Sequence, residues 1–376
     1  MSQVIESKRI VVIYSPGLGG AWLIRLVEAA QESRHNFVHV LVGSPSSDLL
    51  DALERLQARV EKVDYERAIH APRVLRAIRE IFRRTSASTV HTHGHEATAI
   101  GLLAARLTGV EERIYTRHHS TSNREGGPFY AKYYDYLANR LATRIIATSA
   151  VVKDCLVGLE GVDEIKIRMQ SYRFDLERFR KVDELRVRRV RESYELPDDA
   201  YVVGMVSRLV WLKGVEYGVQ AFRRFRERVP HAVLLLAGAV GPSMPVVKRE
   251  LDTLPPDSYR VIPFEKDMPA LYKAFDIVMH LPVSRGVEAW GQVYVEALAA
   301  GLPLICTESG VACESLMDGR DCLMVPYRDS TATGDALFEL FSNDLLRERL
   351  IDGGWQSIQG YGFADDDCLI EEQYGN

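Results

Sequence analysis

The chain carries little that would point to an oxidising compartment, a thiolate metal centre or a membrane span. Its five cysteines, Cys155, Cys306, Cys313, Cys322 and Cys368, are odd in number, and none are spaced as CxxC. That pattern gives no disulfide framework and no cysteine zinc site, and it suits a reducing compartment. No apolar run approaches the ~20 residues that a bilayer-spanning helix needs. The opening MSQVIESKRI lacks the apolar stretch of a signal peptide. A cytoplasmic location is therefore expected, with peripheral contact at the inner face of a membrane still compatible. Basic charge is not in excess: 47 Lys and Arg stand against 52 Asp and Glu, a formal net charge of -5. This argues against a bulk nucleic-acid binder. The chain also lacks GxGxxG spacing and an Asp-x-Asp at any strand end.

What is present is an alternation of short β-branched runs and amphipathic stretches. The 376 residues exceed the size at which a single core stops growing, so two domains are expected. Strands are read at Arg9–Tyr14, Phe37–Val42, Thr89–His91, Ile114–Thr116 and Arg144–Thr148, with helices such as Ala21–Gln31, Ser47–Gln57, Pro72–Arg84 and Ala97–Thr108 between them. The rhythm breaks from Ile165 to Pro197, a charged stretch without an apolar strand, read as a connection and an edge helix. Its basic run Arg186–Arg191 is read as a solvated helix face rather than a lipid or nucleic-acid patch. Strands then resume at Tyr201–Ser207, Ala232–Ala237, Arg260–Pro263, Ile277–Leu281 and Leu302–Thr307. The fold class is α/β: two doubly wound, Rossmann-like parallel sheets in tandem, with an inter-domain cleft where strand ends can face one ligand. Residues 1–180, with a closing helix over 361–376, are expected to form one domain and 181–360 the other. The acidic Asp365–Asp367 is read as a solvated helix start.

Three constellations carry chemistry. In Ser15–Leu26 a strand ends, a turn follows with Gly17, Gly19 and Gly20, and a helix opens. Such a turn lets backbone approach a phosphate at a helix N-terminus, although a purely structural turn explains it almost as well. In Val202–Gly214 a buried strand delivers Arg208, and Lys213 follows five residues on. Two cations at a strand terminus can clamp a pyrophosphate; two ordinary surface cations are the competing account. In Gly286–Gly310 a loop holds Glu288, Gly291 opens a helix, and Glu296 lies one to two turns inside it. The N–H groups of Gly291, Gln292 and Val293 are then available to a phosphate. Glu296 is placed for ribose hydroxyls and Glu288 for a sugar. The alternating His91, His93 and His95 are read as divided between opposite faces of their strand, with no metal site expected. The aromatic segment Phe129–Tyr136 is read mainly as core packing, with an acceptor groove or membrane contact as the other uses.

These residues resemble glycosyltransferase family 4, a retaining GT-B family. Its hallmark is two glutamates in a segment like E-G-F-G-x-x-x-x-E-A-M-A-x-G-x-P. Here Glu288-Ala289-Trp290-Gly291 and Glu296-Ala297-Leu298-Ala299 fill it, followed by Gly301-Leu302-Pro303. Ser207-Arg208 through Lys213-Gly214 is similar to the family's phosphate-binding pair. Ser309-Gly310-Val311 through Glu314, then Asp318-Gly319, and Val90-His91-Thr92-His93-Gly94 are similar to further motifs, and Phe363 through Tyr374 to its closing helix. Thr116-Arg117-His118-His119 resembles T-x-H-D, with His119 in place of the aspartate. Other departures are Tyr172-Arg173-Phe174-Asp175 where N-G-V-D is usual, Ala289 for glycine, Trp290 for phenylalanine and Cys322 for a common glycine. Trp290 is expected beside the donor sugar, and Cys322 at the periphery.

The resemblance implies a GT-B enzyme that moves a sugar from a nucleoside diphosphate sugar with retention, without metal or other cofactor. The acceptor, saccharide, lipid-linked or small molecule, is not identified; surface polysaccharide, glycolipid or related glycoconjugate synthesis is the family default. The first domain is expected to bind the acceptor and the second the donor. His118 and Glu288 are the candidate catalytic residues. Gly19, Gly20, Arg208, Lys213, Glu288, Gly291, Gln292, Val293 and Glu296 are the candidate donor-binding set. A nucleotide-sugar 2-epimerase-like enzyme and a non-catalytic nucleotide-sugar binding module are the other readings. A homodimer is compatible with the sequence.

Overall fold

The computed structural model describes residues 7–65, 71–126, 131–363, 370–371 and 373–375. The chain divides into two compact units, Met1–Phe174 with Phe363–Asn376, and Asp175–Gly362. The changeover falls at Phe174, six residues before the expected one. Asp175 begins the second unit by capping the helix Leu176–Arg180, its carboxylate accepting from the Arg178 N–H at 3.1 Å.

Unit 1 is a seven-stranded sheet: β1 (Arg9–Tyr14), β2 (Asn36–Val42), β3 (Val60–Val63), β4 (Thr89–His93), β5 (Glu112–Arg117), β6 (Arg144–Ala147) and β7 (Ile167–Met169), in the order β3-β2-β1-β4-β5-β6-β7. All its pairings are parallel. The central strands read as continuous apolar runs because helices cover both faces. Ile10, Val12 and Tyr14 pack on one side with Leu23, Leu26 and Val27, and Val11 and Ile13 on the other with Val74, Ile78 and Phe82. That two-sided burial is the alternation of a strand turned into two cores. Ile370 and Tyr374 belong to the first of these cores. The Tyr374 hydroxyl lies 2.7 Å from His91 Nδ1, and Lys8 Nζ donates to the Tyr374 carbonyl at 2.6 Å. Residues 364–369, 372 and 376 of the expected closing helix, among them Asp365–Asp367 and Cys368, lie outside the described residues, as does Phe129.

Unit 2 is a six-stranded parallel sheet: β8 (Tyr201–Val206), β9 (Ala232–Ala237), β10 (Tyr259–Ile262), β11 (Ile277–His280), β12 (Leu304–Cys306) and β13 (Leu323–Met324), in the order β10-β9-β8-β11-β12-β13. Its core joins Val203, Met205, Leu234, Leu236, Ile277 and Met279 to Phe222, Phe225, Leu337 and Leu340. In each sheet the strand order reverses at the first strand, between β1 and β4 and between β8 and β11. Such a reversal opens a crevice at the carboxyl ends of the strands, where ligands of open α/β sheets bind.

Several expectations change. β3, β7 and β13 were not foreseen: they are two to four residues long and sit at or next to sheet edges, where pairing rather than apolar composition holds them. β7 falls inside the stretch read as strand-free. The basic helix Glu184–Ser193 is less solvated than expected. Arg186 grips Asp267 with two nitrogens at 2.6 and 2.8 Å, and Arg191 donates to the carbonyls of Ala274 and Pro197. Cys322 is fully buried, with its Sγ 3.7 Å from that of Cys306, so it is not peripheral. On the helix Ala131–Leu141, Tyr133 and Tyr136 are exposed rather than packed in a core. Among the described residues, no helix is long and apolar enough to cross a membrane.

One backbone position locks the exit of β8 to that of β11. Gly214 has φ 60°, and a Cβ there would lie 2.2 Å from the Leu281 carbonyl oxygen. Gly214→Ala is expected to cost about 2–4 kcal/mol, from left-handed strain plus the clash. Urea unfolding of the variant checks this; a loss below about 0.5 kcal/mol would show that the contact is not tight.

Candidate active site

The residues singled out in unit 2 meet at the ends of β8 and β11. After β8 the chain runs through Arg208 into a 3₁₀ turn, Trp211–Lys213, which is pinned because Val283 N–H donates to the Leu212 carbonyl at 3.0 Å. Arg208 is exposed, and its guanidinium takes no partner among the described residues. Lys213 is different. Its ammonium donates to Glu288 Oε2, so the two residues read separately, one for phosphate and one for sugar, form an ion pair. His280, the last residue of β11, lies with Nε2 3.1 Å from the same oxygen. Burial alone would raise the Glu288 carboxyl, but the Lys213 ammonium and the His280 hydrogen bond outweigh it and hold the group down at about 2. Glu288 is therefore ionised at neutral pH although it is buried.

The glutamate's stem abuts the helix Gln292–Ala299. Gly291 caps that helix at φ 84°, and a Cβ on it would lie 3.2 Å from Glu288 Cγ. The N–H groups of Gly291, Gln292 and Val293 have no protein acceptor among the described residues, which leaves the positive end of the helix open. On the same helix, half-buried Glu296 accepts from the Tyr272 hydroxyl at 2.8 Å. Burial pushes the Glu296 carboxyl up, and the Tyr272 hydrogen bond only partly offsets this. Trp290 is buried at 2% exposure with its ring against the edge of Tyr361, centroids 5.2 Å apart. It is a packing group, not a ring offered to a sugar.

In unit 1, Gly19 and Gly20 close the turn after β1, and Gly20 caps the helix Ala21–Glu32 at φ 115°. The Gly20 N–H already donates to Asp48 Oδ2 at 3.0 Å. A Cβ on Gly19 would fall 2.1 Å from the Ser46 hydroxyl and 2.7 Å from the Asp48 carboxylate. The turn is thus shaped to receive a carboxylate of the protein's own, whose charge works against a phosphate in the same place. His118, just past β5, sits among rings. Its Nδ1 lies 2.6 Å from the Tyr172 hydroxyl and its Nε2 3.2 Å from His93 Nδ1, with Trp22 at 4.8 Å between centroids. Burial, helped by His95, drops its pKa to about 3, so the imidazole is neutral. His91 and His93 stand on the same face of β4, ring centroids 4.2 Å apart. This corrects the division expected from their alternation, since strand residues two apart share a face.

His119 lies with Nε2 2.9 Å from Asp135 Oδ1, and that oxygen also pairs with the fully buried Arg117 at 2.8 Å. Arg117 further binds Glu160 at 2.6 Å and the His119 carbonyl at 3.0 Å. His95, His119 and Asp135 come within 4.8 Å of one another. The Arg117 cation and the hydrogen bond already made account for the Asp135 oxygen without an ion. The network holds the residues on either side of His118.

Sequence reading missed His280, Trp22, Asp48 and Asp135 and gave Tyr172 no role. His280 carried a signal, being a lone polar side chain at the end of an apolar strand. The others depend on distant elements meeting, which spacing does not encode.

Comparison with known proteins follows the same division. The family model described as Glycosyltransferase Family 4 matches residues 19–178, and that described as Glycosyl transferases group 1 matches residues 187–356. This chain belongs to the family 4 glycosyltransferases. Among curated relatives, it is 28% identical over 239 residues to a D-inositol 3-phosphate glycosyltransferase of Corynebacterium urealyticum, covering 61% of this chain and 55% of that protein. It is 35% identical over 175 residues to a GDP-mannose-dependent alpha-(1-6)-phosphatidylinositol monomannoside mannosyltransferase of Mycolicibacterium smegmatis, covering 43% and 45%. The chain thus spans about half the length of these two relatives. Among solved structures it superposes on HepE of Anabaena, in complex with UDP and glucose, with a TM-score of 0.83 at 17% identity over 97% of this chain and 99% of that one. That likeness shows the fold: both family 4 halves are Rossmann-like sheets of the GT-B kind.

The raised Glu296 carboxyl has a consequence for stability. The folded state holds the proton more tightly than the unfolded chain, whose value is near 4.5. Stability from this group is therefore greatest below that value and falls as pH rises through the folded one. Glu296→Gln is expected to melt at or above the wild-type temperature at pH 8, with the difference shrinking toward pH 4. Thermal melts across that range check it; a variant that melts well below wild type at pH 8 would show that the charge holds the helix instead.

Proposed function

We propose that this chain is a retaining glycosyltransferase that moves a sugar from a nucleoside diphosphate sugar to an acceptor in glycoconjugate synthesis. The observation that carries the reading is the meeting of Lys213, Glu288 and the open N-terminus of the helix Gln292–Ala299 at one strand-end locus. A cation and free N–H groups suit a diphosphate, and an ionised carboxylate beside them suits hydroxyls. The relatives' names support the class of donor and reaction, since one uses GDP-mannose and HepE was solved with UDP and glucose.

In this reading Arg208, Lys213 and the N–H groups of Gly291, Gln292 and Val293 stabilise the diphosphate as charge builds on the leaving group. Glu296 takes the ribose hydroxyls and Glu288 the sugar. His118, kept neutral, supports the sugar without repelling the positive charge that develops at its anomeric carbon. With Asp48 seated in the turn, Gly19 and Gly20 shape the turn after β1 rather than bind phosphate. The cations do the work a metal would do, so no metal or cofactor is invoked. Unit 1 binds the acceptor and unit 2 the donor. The protein works in the cytoplasm.

Incubation with a panel of nucleotide-sugars, with and without candidate acceptors, tests this through released nucleoside diphosphate and the linkage formed. A changed sugar without any acceptor would indicate an epimerase instead, and no release under any condition a binding module. Lys213→Ala is expected to cut release on the order of a hundredfold or more. Near-normal turnover would reject its role. Activity is expected to survive EDTA; loss that manganese or magnesium restores would overturn the metal-free mechanism. Glu296→Gln is expected to weaken nucleoside diphosphate binding roughly tenfold, about 1.4 kcal/mol, by titration calorimetry. Unchanged affinity would remove the ribose contact.

A further inference from the structure

The grip on Glu288 is one-sided. Lys213 Nζ and His280 Nε2 both converge on Oε2, while Oε1 takes no hydrogen bond from any described residue. An ionised carboxylate can only accept, so the proton of the His280 bond must sit on Nε2. The imidazole is held in turn. His280 is 2% exposed, its ring stands edge-on to Tyr294 with centroids 4.7 Å apart, and the Thr307 N–H donates to its carbonyl at 3.2 Å. The Tyr294 hydroxyl is fixed by Ser309 Oγ at 2.6 Å. The glutamate's stem is confined as well, since a Cβ on Gly310 or Gly291 would come within 2.8 or 3.2 Å of its Cγ.

We propose that His280 is a positioning residue of the donor site: it fixes Oε2 of Glu288 so that Oε1 faces the ligand, and it keeps the carboxylate there when Lys213 turns toward a diphosphate. The proposal rests on the donor reading of Glu288 given above. Its logic is one of charge. Lys213 has three N–H donors and serves two anions, so an arriving diphosphate competes with Glu288 for it and repels Glu288 as well. A second cation beside Glu288 would cancel the charge the carboxylate needs. A neutral imidazole supplies direction without adding charge, and burial, with Lys213, keeps it neutral against the pull of Glu288. The charged and titratable groups facing Glu288 are Lys213 from the turn after β8, His280 from β11 and Tyr294 from the helix that follows Gly291.

The test pairs His280→Ala with His280→Gln, whose side-chain amide can place an N–H near the position of Nε2. Carbon-13 carboxylate NMR of the glutamate-labelled full chain, with Glu288→Gln to assign the signal, follows the Glu288 titration without any ligand. His280→Ala is expected to move its midpoint up by roughly one pH unit, and His280→Gln to restore it. With UDP-glucose and GDP-mannose as donors, His280→Ala is expected to lower kcat for nucleoside diphosphate release about ten- to a hundredfold with KM changed far less. His280→Gln is expected to recover most of it. If the alanine variant does not fold, His280→Asn, whose amide falls short of the carboxylate, takes its place. An unmoved titration, or a glutamine variant as impaired as alanine, overturns the role of His280. Full release by Glu288→Gln overturns the donor reading of Glu288 instead, and His280 as a positioning residue falls with it.

Discussion

In a parallel sheet every strand ends at the same edge, and everything chemical in this protein follows from that constraint. Each unit runs its first strand into the middle of the sheet and builds outward on both sides. The chain leaving β1 or β8 therefore emerges beside the chain leaving β4 or β11. In unit 1 this puts the turn through Gly20 near the histidines that end β4 and follow β5. In unit 2 it puts Lys213 beside His280 and the loop to Glu288. Gly214 shows how close the exits are, since only a residue without a side chain fits against the Leu281 carbonyl. A strand end also leaves backbone groups unpaired, so these edges are where a ligand's polar atoms find partners.

The cost of such a site is buried charge. Glu288 and Arg117 are both removed from water, and each survives by being over-paired: Glu288 with Lys213 and His280, Arg117 with Asp135 and Glu160. Breaking such a pair strands a charge and typically costs 3–5 kcal/mol, whereas an apolar replacement of the whole cluster is often neutral. Stability alone therefore does not call for these ions. Glu296 makes the same point from the other side, because its carboxyl is raised by burial and the Tyr272 hydrogen bond only partly offsets that. Sites that bind charge commonly carry such local penalties.

Much of this was legible in the sequence, for identifiable reasons. The strands β1, β8 and β9 are long apolar runs with sharp ends, so their bounds were read to within a residue. The edge strands were not, because Ile167–Met169 and Leu323–Met324 are held by neighbours rather than by their own pattern. Lys213 and Glu288 were found one by one, since each sits in a motif, but their pairing across 75 residues depends on how two loops fold against each other. His118 was found through a motif, while its partners Tyr172 and Trp22 were not. A side chain's neighbours across a sheet are set by strand order, and one sequence without tertiary contacts does not contain strand order. Trp290 misled for a related reason: its place in the motif was right, but the ring turned inward to meet Tyr361.

The two units solve opposite electrostatic problems with the same residue type. In unit 1 the histidines at the strand ends are kept neutral by burial and by one another, so the ring cluster around His118 is polar but uncharged. In unit 2 the strand-end histidine is also neutral, but it serves an ion pair and helps keep a carboxylate charged. A neutral imidazole offers one donor and one acceptor, in directions set by its ring plane. That is a smaller gift than a lysine's charge, yet it is directional, and direction is what a site needs once Lys213 has supplied the attraction. The same argument explains why Lys213 and His280 are not interchangeable, although both reach one oxygen of Glu288. The ammonium sets how strongly that corner attracts an anion, and the imidazole sets which way the carboxylate faces.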